Sequence, residues 1–198
     1  MGWQMRAFVR LLDRWLSDLT GLFEFSQHPD CILRLQLTRA GHTMPLGSQV
    51  VGRGEPVLAL HFWNERAPRL PPGGADLAWA LSFRRQLVFS FRAVAAEMLR
   101  EPRLAHVRAV YGASALFSSS GHVGGTRMMQ RLGFIVVPYH SPLGRFGKFW
   151  ENLFSWWLMW AYNDPSLRSR HMPHLQRTEI WISAGDFLRR YGEASAIN

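Results

Sequence analysis

The run Val57-Leu58-Ala59-Leu60 constrains this chain more than any other stretch. It is apolar at every position. A half-buried strand alternates instead, because successive side chains point to opposite faces. Uniform apolarity marks a central strand, here residues 57 to 63. Pro56 precedes it, which is tolerated at a strand start where no ladder donor is needed. Residues 31 to 38 read differently. Cys31, Leu33, Leu35 and Leu37 face one way, and Ile32, Arg34, Gln36 and Thr38 the other, as in a half-buried strand.

Other elements follow from local signals. Short strands are expected at residues 49 to 51, 107 to 111, 134 to 137 and 178 to 182. Residues 3 to 19 form an amphipathic helix with Phe8, Leu11, Leu12, Trp15 and Leu19 in one stripe. A long helix runs from residue 76 to 100 and is stopped by Pro102. Leu77, Leu81, Val88, Phe91, Ala95 and Met98 are its expected buried stripe. Arg84 falls in that stripe, where it snorkels or meets a buried acid, Glu65 being a candidate. A short helix is expected at residues 126 to 132, and an aromatic one at 145 to 163. The last helix, 184 to 191, is capped by the S-x-x-D pair Ser183 and Asp186. With 47% hydrophobic residues in 198, the chain has material for one substantial core. The expectation is a single α+β domain over residues 1 to 198, with a mixed five- or six-stranded sheet.

The formal net charge is +9, and of 23 basic residues only Lys148 is a lysine. A basic surface favours anionic partners. The arginines are spread along the chain with no nucleic-acid motif, so anionic lipid or lipid-linked carbohydrate is favoured over nucleic acid. One cysteine, Cys31, excludes an internal disulfide framework and fits a reducing compartment. The start of the chain breaks its apolar residues with charge before a signal-peptide core can form. The longest apolar stretch, residues 153 to 162, is far short of the roughly 20 residues that span a bilayer. The expected location is cytoplasmic, peripheral at the inner membrane face.

The candidate site sits where the central strand ends. His61, Asn64, Glu65 and Arg66 crowd four polar groups into six residues before Pro68. Strand ends are where scaffolds often present chemistry. If the strand continues through Asn64, alternation puts His61 and Glu65 on one face and Asn64 and Arg66 on the other. His61, Glu65 and His122 are then the candidate acid/base groups, and Arg66 holds an anion or locks the fold. Gly124 and Gly125 close a small-residue loop entering a helix, an arrangement that can cradle an anion. It matches neither dinucleotide nor nucleotide phosphate-loop spacing. Glu151 and Asn152 are polar exceptions in the aromatic helix and complete the candidate binding residues. Glu24, His28 and Cys31 read as loop polarity beside a buried cysteine, and Pro173 disrupts a helical pair of His171 and His174. No metal or cofactor is expected.

Several stretches together resemble one family. They are Leu19-Thr20-Gly21 with Glu24 and His28-Pro29, His61 to Arg66, Leu132-Gly133-Phe134, and Glu151-Asn152-Leu153 with Trp157-Leu158-Met159-Trp160. Trp181-Ile182-Ser183 and Arg190-Tyr191-Gly192 complete the set. They resemble the YkoP-like domain, a bacterial domain found alone or attached to polysaccharide deacetylases. The resemblance implies a setting in envelope polysaccharide or glycolipid metabolism, with a deacetylase or glycosyltransferase as partner. It assigns no catalytic residues. The metal-binding motifs of the deacetylases themselves are not present in this chain. Three function classes follow: an accessory module binding an anionic lipid-linked sugar or membrane surface, a small enzyme using the His61 and Glu65 strand end, and an acyltransferase-like protein. The last rests on the strand–helix–Leu132-Gly133-Phe134 step and lacks the diagnostic Q/R-x-x-G-x-G/A loop.

Overall fold

A computed structural model describes residues 21–63, 65–68, 71, 76–114, 123–139 and 177–192. The expected helices over 3 to 19 and 145 to 163 lie outside the described residues. The described elements in chain order are β1 (Leu22–Phe23), β2 (Leu33–Arg39), β3 (Met44–Leu46), β4 (Gln49–Val51), β5 (Pro56–Phe62), α1 (Leu77–Arg100), a 3-10 turn (Pro102–Leu104), β6 (Ala109–Ser114), α2 (Val123–Arg131), β7 (Ile135–Pro138), β8 (Thr178–Ser183) and α3 (Ala184–Tyr191).

Six strands form one mixed sheet in the order β1-β2-β5-β6-β8-β7, and β3 pairs with β4 in a separate hairpin. β5 and β6 are parallel, and the other pairs are antiparallel. A parallel pair needs a long crossover, which α1 supplies. β8 inserts between β6 and β7, so the α2 crossover spans a strand that comes later in the chain.

The central strand is buried on both sides, as its composition requires. Leu58 and Leu60 join Leu33, Leu35, Val110, Ile180 and Ile182 beneath Phe83, Leu87 and Phe91 of α1, Met129 of α2, and Phe187 and Tyr191 of α3. All three helices therefore pack on one sheet face. Val57 turns the other way, into a second cluster with Ala40, Met44, Leu46, Val51, Ala109 and Trp181, where the β3–β4 hairpin is the cover.

The helix ends are where local signals put them. The Asp76 side chain accepts from the Trp79 N–H at 2.7 Å, and the Glu101 N–H closes the last turn on the Glu97 carbonyl. Ser183 accepts from the Asp186 N–H at 3.1 Å and donates to its carboxylate at 2.7 Å. Gly133 ends α2 at φ 94°, a left-handed conformation that favours glycine.

The structure corrects the expected face of α1. Leu77 and Leu81 are 75% and 58% exposed, and Arg84 is exposed rather than paired in the core. The buried stripe runs through Phe83, Leu87, Phe91, Val94, Ala95 and Met98. Apolar residues occupy more than one side of this helix, and only the sheet selects the side that is buried. Leu37 is 43% exposed because the buried part of β2 ends before it. The third strand lies at Ala109–Ser114, later than expected, because its small residues still pair with β8. At Gly112 an added Cβ would lie 3.3 Å from the Leu60 carbonyl oxygen. α2 begins at Val123, so Gly124 and Gly125 belong to the helix and not to a loop before it.

Phe91 links the layers, with ring centroids 5.1 Å from Phe134, 5.9 Å from Phe187 and 5.2 Å from Tyr191. Phe91→Ala should cost about 3–5 kcal/mol, read as a lowered urea midpoint with an unchanged slope.

Candidate functional site

β5 stops at Phe62. The Trp63 N–H still donates to the Ile32 carbonyl at 2.8 Å, but the N–H groups of Arg66 and Ala67 then both fold back onto the Trp63 carbonyl at 2.9 Å. The chain turns at this point, so strand alternation does not extend to Glu65. Glu65 is exposed, and its Oε2 accepts from Trp63 Nε1 at 3.4 Å. Asn64 lies outside the described residues.

Arg66 is bound into the fold. Its Nη1 donates to the carbonyls of His28 at 3.0 Å and Ser26 at 3.3 Å. Its guanidinium lies 3.4 Å from the centroid of the Trp63 ring, and Arg34 approaches the same ring at 5.9 Å. Arg66 thus ties the segment before β2 to the end of β5. A guanidinium suits this position because it stacks and donates in its own plane at once.

His61 stands opposite Arg34 in the β2–β5 register, and its Nε2–H donates to Gln36 Oε1 at 2.9 Å. Burial, and then the charge of Arg34, lower its pKa from 6.5 to about 4. The ring is therefore neutral near pH 7. The neutral ring is the proton-accepting form, and its lowered pKa makes it a weak base near pH 7.

A second polar cluster lies on the same sheet face. Glu179 is only 3% exposed, yet its Oε2 accepts from Trp181 Nε1 at 2.8 Å and lies 3.5 Å from His42 Nε2. Trp181 stacks on Tyr111 with centroids 4.7 Å apart and meets His42 edge-on at 5.6 Å. Nothing in the sequence marks His42 or Glu179 as site residues. Alternation along β8 could have placed Glu179 and Trp181 on one face, but no spacing rule brings His42 to them.

Gly124 and Gly125 are not part of this face. They lie in α2, whose Met129 packs into the helical side of the sheet. His122, Glu151, Asn152, His171 and His174 lie outside the described residues. Cys31 is fully buried, with its Sγ 3.7 Å from the Leu33 carbonyl oxygen. Among the described residues, no group of three or more His, Cys, Asp or Glu could hold a metal ion.

The YkoP domain family model matches residues 4–191, nearly the whole chain. This chain belongs to the YkoP domain family. No curated protein and no solved structure matches it. In this YkoP domain the second sheet face thus carries Arg34, Gln36 and His61 on β2 and β5, and Tyr111, Glu179 and Trp181 on β6 and β8.

The lowered pKa of His61 has a signed consequence for stability. Between about pH 6.5 and 4 the unfolded chain binds a proton at His61 that the folded chain does not. The His61 contribution is therefore complete above 6.5 and is lost as pH falls toward 4, by on the order of 2–3 kcal/mol. His61→Gln should flatten this part of the pH dependence relative to the parent protein, measured by urea unfolding at a series of pH values. Parallel pH profiles for the two proteins would contradict the assignment.

Proposed function

We propose that this YkoP domain is an accessory binding module whose helical layer holds an anionic membrane surface. The setting we attach to it is envelope polysaccharide or glycolipid metabolism. The observation that supports the reading is a concentration of arginine on the described helices. The three described helices, all on one face, carry eight arginines and two carboxylates, Glu97 and Asp186. Both carboxylates are already neutralised. Arg100 Nη2 lies 2.6 Å from Glu97 Oε2, and Arg189 pairs with Asp186. Arg84, Arg85, Arg92, Arg127, Arg131 and Arg190 are exposed and form no ion pair with a carboxylate among the described residues.

Each such residue near an anionic leaflet contributes about 1 kcal/mol. Several acting together give useful binding that salt weakens within a Debye length. The acid/base alternative has less geometric support, because His61 Nε2 is bonded to Gln36 while Glu65 is exposed in a turn past the strand end. Among the described residues no helix is long and apolar enough to cross a membrane, so the contact proposed here is with a surface.

Co-sedimentation with phosphatidylcholine vesicles, with and without phosphatidylglycerol, tests the reading. Binding should require the anionic lipid and weaken with added salt. Replacing Arg84, Arg85 and Arg92 together by glutamine should lower it on the order of a hundredfold. Equal binding to neutral and anionic vesicles, or binding to neither, would overturn it.

A further inference from the structure

The same helix face carries a second feature that charge does not account for. Leu77, Leu81 and Leu99 of α1 are 75%, 58% and 67% exposed. On a helix of 3.6 residues per turn they share one line with a spread of about 40°, which buried Ala95 and half-buried Val88 interrupt between the two ends. Arg85 and Arg92 lie beside that line, and Arg84 flanks it on the other side. Leucines at both ends of the helix thus bracket arginines near its middle. A helix in a water-soluble layer normally turns its leucines inward, and α1 already does so with Leu87.

We propose that α1 meets an anionic bilayer through its two ends, with Leu77 and Leu81 at one end and Leu99 at the other entering the acyl boundary and Arg84, Arg85 and Arg92 meeting lipid phosphates. This rests on the binding reading above and names the element that makes the contact. Guanidinium groups on long stems reach the phosphates while their methylenes lie along the apolar boundary. Arginine binds phosphate through two parallel N–H···O bonds, which suits it to this position. The charge favours a bilayer over a second copy of the chain, since two copies facing each other would oppose like charges.

The test uses the full chain and vesicles of phosphatidylcholine with phosphatidylglycerol. Replacing Leu77, Leu81 and Leu99 by alanine leaves the buried stripe intact, so the circular dichroism spectrum should not change. Binding should fall by about tenfold for each leucine, and this loss should persist at high salt. An environment-sensitive fluorophore on Leu81→Cys should shift to the blue on adding vesicles, whereas one on Val50→Cys, in the β3–β4 hairpin, should not. If the leucine variant binds like the parent and the fluorophore at position 81 stays in water, while the arginine variant still loses binding, the insertion of α1 is overturned and the charge reading stands. If the parent protein binds no anionic vesicle, both fall. A dimer in the absence of lipid that the leucine replacements dissociate would overturn the bilayer as occupant.

Discussion

The parallel pairing of β5 with β6 is the constraint on which the rest depends. Two parallel neighbours cannot be joined by a tight turn, so the chain must cross over, and α1 makes that crossing. Once α1 lies on one face, its buried stripe sets the depth of the main core. α2 and α3 complete the same layer through Met129, Phe187 and Tyr191. The helices thus gather on one side of the sheet, and the arginines on their outer surfaces gather with them. The basic face is a consequence of topology, since the arginines are scattered in sequence.

The other sheet face has a different chemistry. Its polar groups are buried or half-buried, and most are bonded within the protein. His61 meets Gln36, Arg66 caps Trp63, and Glu179 holds the Trp181 indole N–H beside His42. Buried polar groups are costly unless satisfied, so such contacts favour a unique register over an adaptable one. At the end of β5 the turn carries Glu65 off the strand face that His61 occupies.

Local signals in the sequence located most elements well. Asp76 and Pro102 bound α1, Ser183 and Asp186 start α3, and the apolar run at 57 to 60 identifies the central strand. What sequence could not supply was the orientation of one element against another. α1 has leucines or phenylalanines on several sides, so its period does not say whether Leu81 or Phe83 is inside. The Gln36 partner of His61 depends on cross-strand register. Alternation would put Glu65 beside His61 only if the strand continued, and backbone bonds from Arg66 and Ala67 turn the chain first. His42 and Glu179 meet only because the loop before the β3–β4 hairpin comes to rest on β8.

A helical layer that faces an anionic bilayer must lie close to lipid headgroups. The most direct measurement is cross-linking to a phosphatidylglycerol that carries a photoreactive group near its headgroup, with adducts mapped by mass spectrometry. Adducts are expected on residues of α1 and α2 and not on the β3–β4 hairpin across the sheet. Adducts concentrated on residues 44–51, with α1 unmodified, would contradict the account.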